Sequence, residues 1–124
     1  MLNLSQFATH FVDDAIDVHA RPVREVVSTP QIDRVTQRWG EQLERVGTLQ
    51  KYLMALCLID YCGSNDDTYT MQDAIEFQDG DCLLGEQLTC ELLLLAKESE
   101  ECEAETNLLG LAYAVLEQLM LGSR

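Results

Sequence analysis

The sequence predicts an all-α fold, a compact single-domain bundle of five or six helices with a buried central helix. Three observations carry that expectation. The stretch TLQKYLMALCLIDYC, Thr48 to Cys62, holds an unbroken apolar or weakly polar run from Tyr52 to Ile59 with no Gly, Pro or charge. It is too short for a bilayer, which needs about 20 apolar residues, and its single β-branched residue argues for a helix packed on most sides rather than a strand. Apolar residues elsewhere recur at three- and four-residue spacing. The chain of 124 residues, 47% hydrophobic and 24% charged, is one domain by length and large enough to bury a core without staples.

In chain order, residues 4–20 read as a first helix. Leu4, Phe7, Phe11, Ala15 and Val18 form one stripe, and His10, Asp13, Asp14 and Asp17 fall opposite. Arg21-Pro22 ends or turns it, because proline disfavours an α conformation in the residue before it. The apolar piece Val23 to Val27 suits one or two further helical turns. Thr29-Pro30 reads as an N-cap with proline at the first helical position, and Asp33 follows in the first turn. Ile32, Val35, Trp39, Leu43 and Val46 then continue at helical spacing. Nothing at Gly47 forces a stop, so that helix is free to run on into the central stretch and end at Gly63.

Gly63-Ser64-Asn65-Asp66-Asp67 is the clearest loop in the chain. Thr70 with Asp73 forms a capping-box pattern, opening a short helix through about Phe77. Gln78 to Asp81 reads as a turn. From Asp81 a helix carries Leu84, Leu88, Leu92 and Leu95 on one stripe, widened by Leu93 and Leu94. The charged run Lys97 to Glu105 connects to a last helix, from about Thr106 to Leu121, with Leu108, Leu109, Ala112, Val115, Leu116 and Leu119 facing inward.

The charge is the unusual property. The formal net charge of −14 exceeds the roughly 2–8 units that solubility asks of a small domain. It is also one-sided. Residues 1–51 hold six basic and seven acidic residues, whereas residues 52–124 hold two basic and fifteen acidic ones. Between Asp60 and Glu105, Lys97 is the single cation. Such a field repels nucleic-acid phosphates and anionic membranes, so neither direct nucleic-acid binding nor membrane binding is expected. It attracts basic protein surfaces, basic peptides and divalent cations. The N-terminus lacks a basic region followed by a continuous apolar one, so no signal peptide is expected. The five cysteines show no CxxC and read as reduced thiols in a cytoplasmic protein.

Candidate chemistry is sparse. His10, Asp14 and Asp17, with Asp13, share a helix face and offer nitrogen and oxygen ligands, but Asp17 is equally placed to pair with Arg21. The GSNDDTYT loop gathers oxygens without the EF-hand order. Cys82 follows two carboxylates, Asp79 and Asp81, that oppose thiolate formation, and no histidine is near it in sequence. Glu98, Glu101 and Glu105, with the Asp73–Glu76 pair, meet only part of the magnesium-binding ExxE pattern of all-α nucleotide pyrophosphatases. The expectation is a protein that is not an enzyme, with no catalytic residue, metal or cofactor.

The acidic half is the remaining feature. Its carboxylates, collected on one face, approach the charge density of duplex DNA, about one phosphate per 1.7 Å of helix axis. In size, helicity and charge the chain resembles phage-encoded inhibitors such as anti-CRISPR proteins and other DNA mimics. It is similar in character, too, to toxin-immunity proteins and to acidic secretion chaperones. The resemblance implies a binding protein whose partner offers a basic site, such as a nucleic-acid-binding protein or a CRISPR effector. Asp66, Asp67, Asp73, Glu76, Asp79 and Asp81 are the candidate partner-binding residues, because they crowd a loop, short helix and turn that stand proud of the bundle. The competing expectation is a helical adaptor, immunity protein or chaperone that buries an apolar helix face on a partner or in a homodimer. A metal-dependent hydrolase ranks below both.

Overall fold

The computed structural model describes residues 20–101 and 107–122. Over these the chain forms α1 (Val23–Val26), α2 (Pro30–Trp39), α3 (Thr48–Gly63), α4 (Met71–Gln78), α5 (Glu86–Glu101) and α6 (Leu108–Leu121). No strand occurs among the described residues. Of the predicted first helix only Ala20 is described, in non-helical backbone, and the rest lies outside the described residues. The connection at 102–106 lies outside them as well.

Thr29 caps α2 as its sequence predicts, its Oγ1 accepting from the Ile32 N–H at 3.1 Å with Pro30 in the first turn. The helix does not continue into α3. The break falls at Gly40 rather than Gly47. The Gly40 N–H closes the last turn on the Thr36 carbonyl, and its φ of +104° then reverses the chain, a conformation open to glycine without a steric cost. Tertiary contacts fix the turn. The Val23 N–H donates to the Glu41 carbonyl at 2.8 Å, and Arg24 forks onto the Glu41 carboxylate. Leu43 and Val46, expected on the α2 stripe, are buried from this turn instead.

Helix α3 lies at the centre, packed against α4 and α6. Its Leu53, Met54, Ala55, Cys57 and Leu58 enter the core. One face departs from the expectation of a helix covered nearly all round, because Leu49, Tyr52, Leu56 and Ile59 are exposed. Helix α5 begins at Glu86 and not at Asp81. Cys82 and Gly85 both have positive φ, which keeps 79–85 a turn, and Leu84 reaches the core from it. Leu88, Leu92 and Leu95 are buried as their spacing predicts, whereas Leu94 is exposed.

Helix α6 starts at Leu108, two residues after Thr106, with Asn107 Oδ1 accepting from the Gly110 N–H at 3.1 Å. Gly110 permits close approach to α1, since a Cβ there would sit 3.0 Å from the Val27 Cβ. The core face of α6 is Leu108, Leu111, Ala112, Ala114 and Val115, so Leu109 and Leu116, expected inward, point out. Arg21 Nε and Nη2 grip the Glu117 carboxylate at 3.1 and 2.8 Å, so its partner in the structure is this glutamate.

Besides the Arg21–Glu117 pair, the two halves of the charge distribution meet in an ion triad. Arg34 on α2 donates from Nη2 to Glu91 at 3.0 Å and from Nη1 to Glu98 at 2.8 Å, both on α5. The Glu91 side chain is only 2% exposed, in a helix whose neighbours Leu88, Leu92 and Leu95 are apolar. A carboxylate at that depth requires a cation.

Candidate functional site

Asp66, Asp73 and Asp79 are held by local hydrogen bonds before any partner is considered. In the loop after α3, Asp66 Oδ1 accepts from the Thr68 N–H at 2.9 Å and from the Thr68 hydroxyl at 2.7 Å. These bonds, the hydroxyl first, hold the Asp66 carboxyl below its ordinary range. Thr70 and Asp73 form the predicted capping box: Asp73 Oδ2 accepts from the Thr70 N–H at 2.9 Å and Thr70 Oγ1 accepts from the Asp73 N–H at 3.1 Å. That box starts α4, whose Met71, Ala74 and Ile75 pack inward. Gln72, Asp73, Glu76 and Phe77 consequently share the outer face.

Five of the six predicted residues lie at the surface. Asp66, Asp67, Asp73, Glu76 and Asp81 are exposed, and Glu86 adds a sixth exposed carboxylate in the first turn of α5. None of them is in an ion pair among the described residues. Asp79 is different. It is 5% exposed, and its Oδ1 and Oδ2 accept from the Leu83 and Leu84 N–H groups at 2.8 and 2.9 Å. It shapes the turn into α5 and is no part of a docking surface.

Sequence reading missed the apolar members of this surface. Phe77, 79% exposed, stands on the same face as Asp73 and Glu76, and Leu83 is exposed in the following turn. The signal was present in the spacing, since Phe77 follows Asp73 by four and so lies above it on the helix. A cleft of about 440 Å³ lined by Ile59, Asp60, Gly63, Ser64, Tyr69 and Phe77 runs beside it. Within it Asp60 Oδ2 accepts from the Tyr69 hydroxyl at 2.6 Å, a bond that pushes the phenol up to about 12. A larger cleft of about 890 Å³, bordered by Asp66, Asp67, Tyr69 and Thr70, reaches Asn107 and Leu108 at the start of α6.

The exposed groups of this surface are carboxylate acceptors and apolar side chains. Both histidines, and with them the His10, Asp14 and Asp17 set, lie outside the described residues, as does Glu105. Glu98 is held by Arg34. Among the described residues no three His, Cys, Asp or Glu side chains group to hold a metal ion. Cys57 is buried, and desolvation first, then Asp79 and Asp60, push its thiol up to about 11. Cys57, Cys82 and Cys90 are free thiols. No helix among the described residues is long and apolar enough to cross a membrane. In comparisons with protein-family models, curated proteins and solved structures, the chain matches none of them.

Proposed function

We propose that this protein is a non-enzymatic acidic binding protein, an inhibitor that sets its carboxylate-rich loop, α4 and following turn on a basic site of a partner protein. The partner class that fits is a nucleic-acid-binding protein, a CRISPR effector or nuclease included, whose groove is built to take phosphates. The observation that carries the reading is the outer face of α4, where Phe77 is exposed beside Asp73 and Glu76, with Asp66, Asp67 and Asp81 exposed in the segments that flank the helix. Carboxylates of one sign steer a basic partner and tune association rate, while a projecting aromatic supplies the desolvated contact that dominates affinity. The reading assigns Asp79 no contact with the partner.

The test is capture of partners from a host lysate at low and moderate salt, followed by binding of the purified pair. Wild-type protein retains a basic nucleic-acid-binding partner at low salt, loses it as salt rises, and competes with DNA or RNA for it. The double reversal D73K/E76K weakens that binding at least tenfold, mainly through association rate, and F77A weakens it through dissociation rate. Affinity unchanged in D73K/E76K refutes the assignment, and a partner that survives salt points to an apolar adaptor interface instead.

A further inference from the structure

Helices α3 and α6 pack side by side and run antiparallel. The end of α3 at Tyr61 and Cys62 shares a cleft with Asn107 and Leu108 at the start of α6. At the other end, Ala20 donates its N–H to the Gly122 carbonyl at 2.9 Å and accepts from Gln42 Nε2 at 2.8 Å. The Gln42 carbonyl in turn takes Lys51 Nζ, in the first turn of α3, at 3.4 Å. Each helix leaves one apolar stripe open: Leu49, Tyr52, Leu56 and Ile59 on α3, and Leu109, Tyr113, Leu116 and Met120 on α6.

Both stripes face the same way. Around α3 the stripe runs from Asp60, which turns to Tyr69 and Gln78 on the α4 side, to the buried Ala55 on the α6 side. Around α6 it runs from Glu117 and Gly110, which turn to Arg21 and Val27, to the buried Ala112 on the α3 side. Each open arc therefore borders the flank that the two helices share, and in an antiparallel pair the arcs join into one outer strip.

We infer that this strip is a self-association surface, on which two copies of the chain meet about a two-fold axis and close their α3 and α6 pairs into a four-helix bundle. Area is the first observation that selects a second copy. The eight side chains stand between 37% and 63% exposed, and at about 150–250 Å² for a fully open large side chain they bare roughly 800 Å² together. That is more than a monomer ordinarily leaves open, and it matches the roughly 800 Å² each partner gives to a stable interface.

Charge is the second. Of the chain's 22 acidic residues only Asp60 and Glu117 lie on these two helices, and both are turned to hydrogen-bond donors at the flanks. Lys51, the one cation of the pair of helices, is 7% exposed. The strip is thus neutral and apolar, whereas the protein's field draws basic partners to its carboxylates. A second copy brings a face of the same length, the same neutrality and the same apolar character. The two-fold makes the contact closed, so it ends at two chains.

The experiment is sedimentation of the full chain from low to high micromolar concentration, in low and in high salt. The expected result is a species of twice the 14.0 kDa chain mass that dilution returns to monomer. Its association tightens severalfold as salt rises, because salt screens the repulsion between two chains of net charge −14. In Y52E/Y113E, which changes two exposed positions, the dissociation constant rises at least tenfold. The milder L56Q/L109Q carries the same test should the first fail to fold. A monomer under every condition overturns the inference. So does a dimer that salt dissolves, since that contact is ionic, and so does assembly beyond two chains. A dimer left intact by the folded variants overturns it in favour of another face.

Discussion

Replacing Arg34 by methionine tests the junction between the two charge halves. The side chain keeps an unbranched apolar stem but loses the guanidinium that serves Glu91 and Glu98. Glu98, 22% exposed, then turns to water at small cost, whereas Glu91 at 2% has no such route. Breaking a fully buried pair costs about 3–5 kcal/mol. Arg34 is itself 35% exposed and water already screens part of the pair, so about 2–4 kcal/mol is expected. For a chain of this size that lowers Tm by roughly 10 °C. Urea unfolding followed by Trp39, the single tryptophan, reads it directly. The double variant R34M/E91L removes the stranded charge and recovers most of the loss, because an apolar replacement for a buried ion pair is often neutral. Arg34 Nε and one oxygen on each glutamate have no hydrogen-bond partner, which lowers the net worth of the triad and favours that recovery. A cost below about 1 kcal/mol for R34M, or no recovery in the double variant, refutes the reasoning.

Three further outcomes follow from single contacts. T70A removes the acceptor for the Asp73 N–H and lowers stability by about 1 kcal/mol in urea, a typical N-cap loss. D79A leaves the Leu83 and buried Leu84 amides of the turn into α5 without their acceptor and costs about 1–3 kcal/mol, while D81A, at an exposed position, stays within about 0.5 kcal/mol of the wild type. The Glu117 carboxyl lies below its ordinary value of 4.5 because Arg21 hydrogen-bonds it, so its contribution is complete above that value and is lost as pH falls through the depressed one. Melting of E117Q beside the wild type accordingly shows a gap at pH 7 that narrows below about pH 4.5 and closes in stronger acid.

Local chemistry was legible wherever one short segment decides its own conformation. Thr29 with Pro30, the Thr70–Asp73 box, and the Leu88, Leu92 and Leu95 stripe each act within a turn or two of helix, and the structure contains all of them. The acidic surface was legible for the same reason, since exposed carboxylates need no partner to stay at the surface. Where the reading failed, a distant residue had the deciding contact. Periodicity alone carried α2 through Val46, but the Glu41 carbonyl is taken by Val23 and its carboxylate by Arg24, and the chain reverses at Gly40.

By itself, then, the sequence determined an all-helical chain, the position of most of its helices, and an excess of negative charge confined to residues 60–105. Spacing and composition are properties of neighbouring residues, and helix formation with net charge depends on little else. The tertiary structure decided which members of each pattern are used. Glu91 and Asp79 look in sequence like the other acids, yet one is buried against Arg34 and the other caps a turn from within the core. Phe77, Leu109 and Leu116 look like core and lie outside it. The physical reason is that burial is set by which helix packs against which face. That depends on α3, α4 and α6 meeting in space, and no window of sequence contains it.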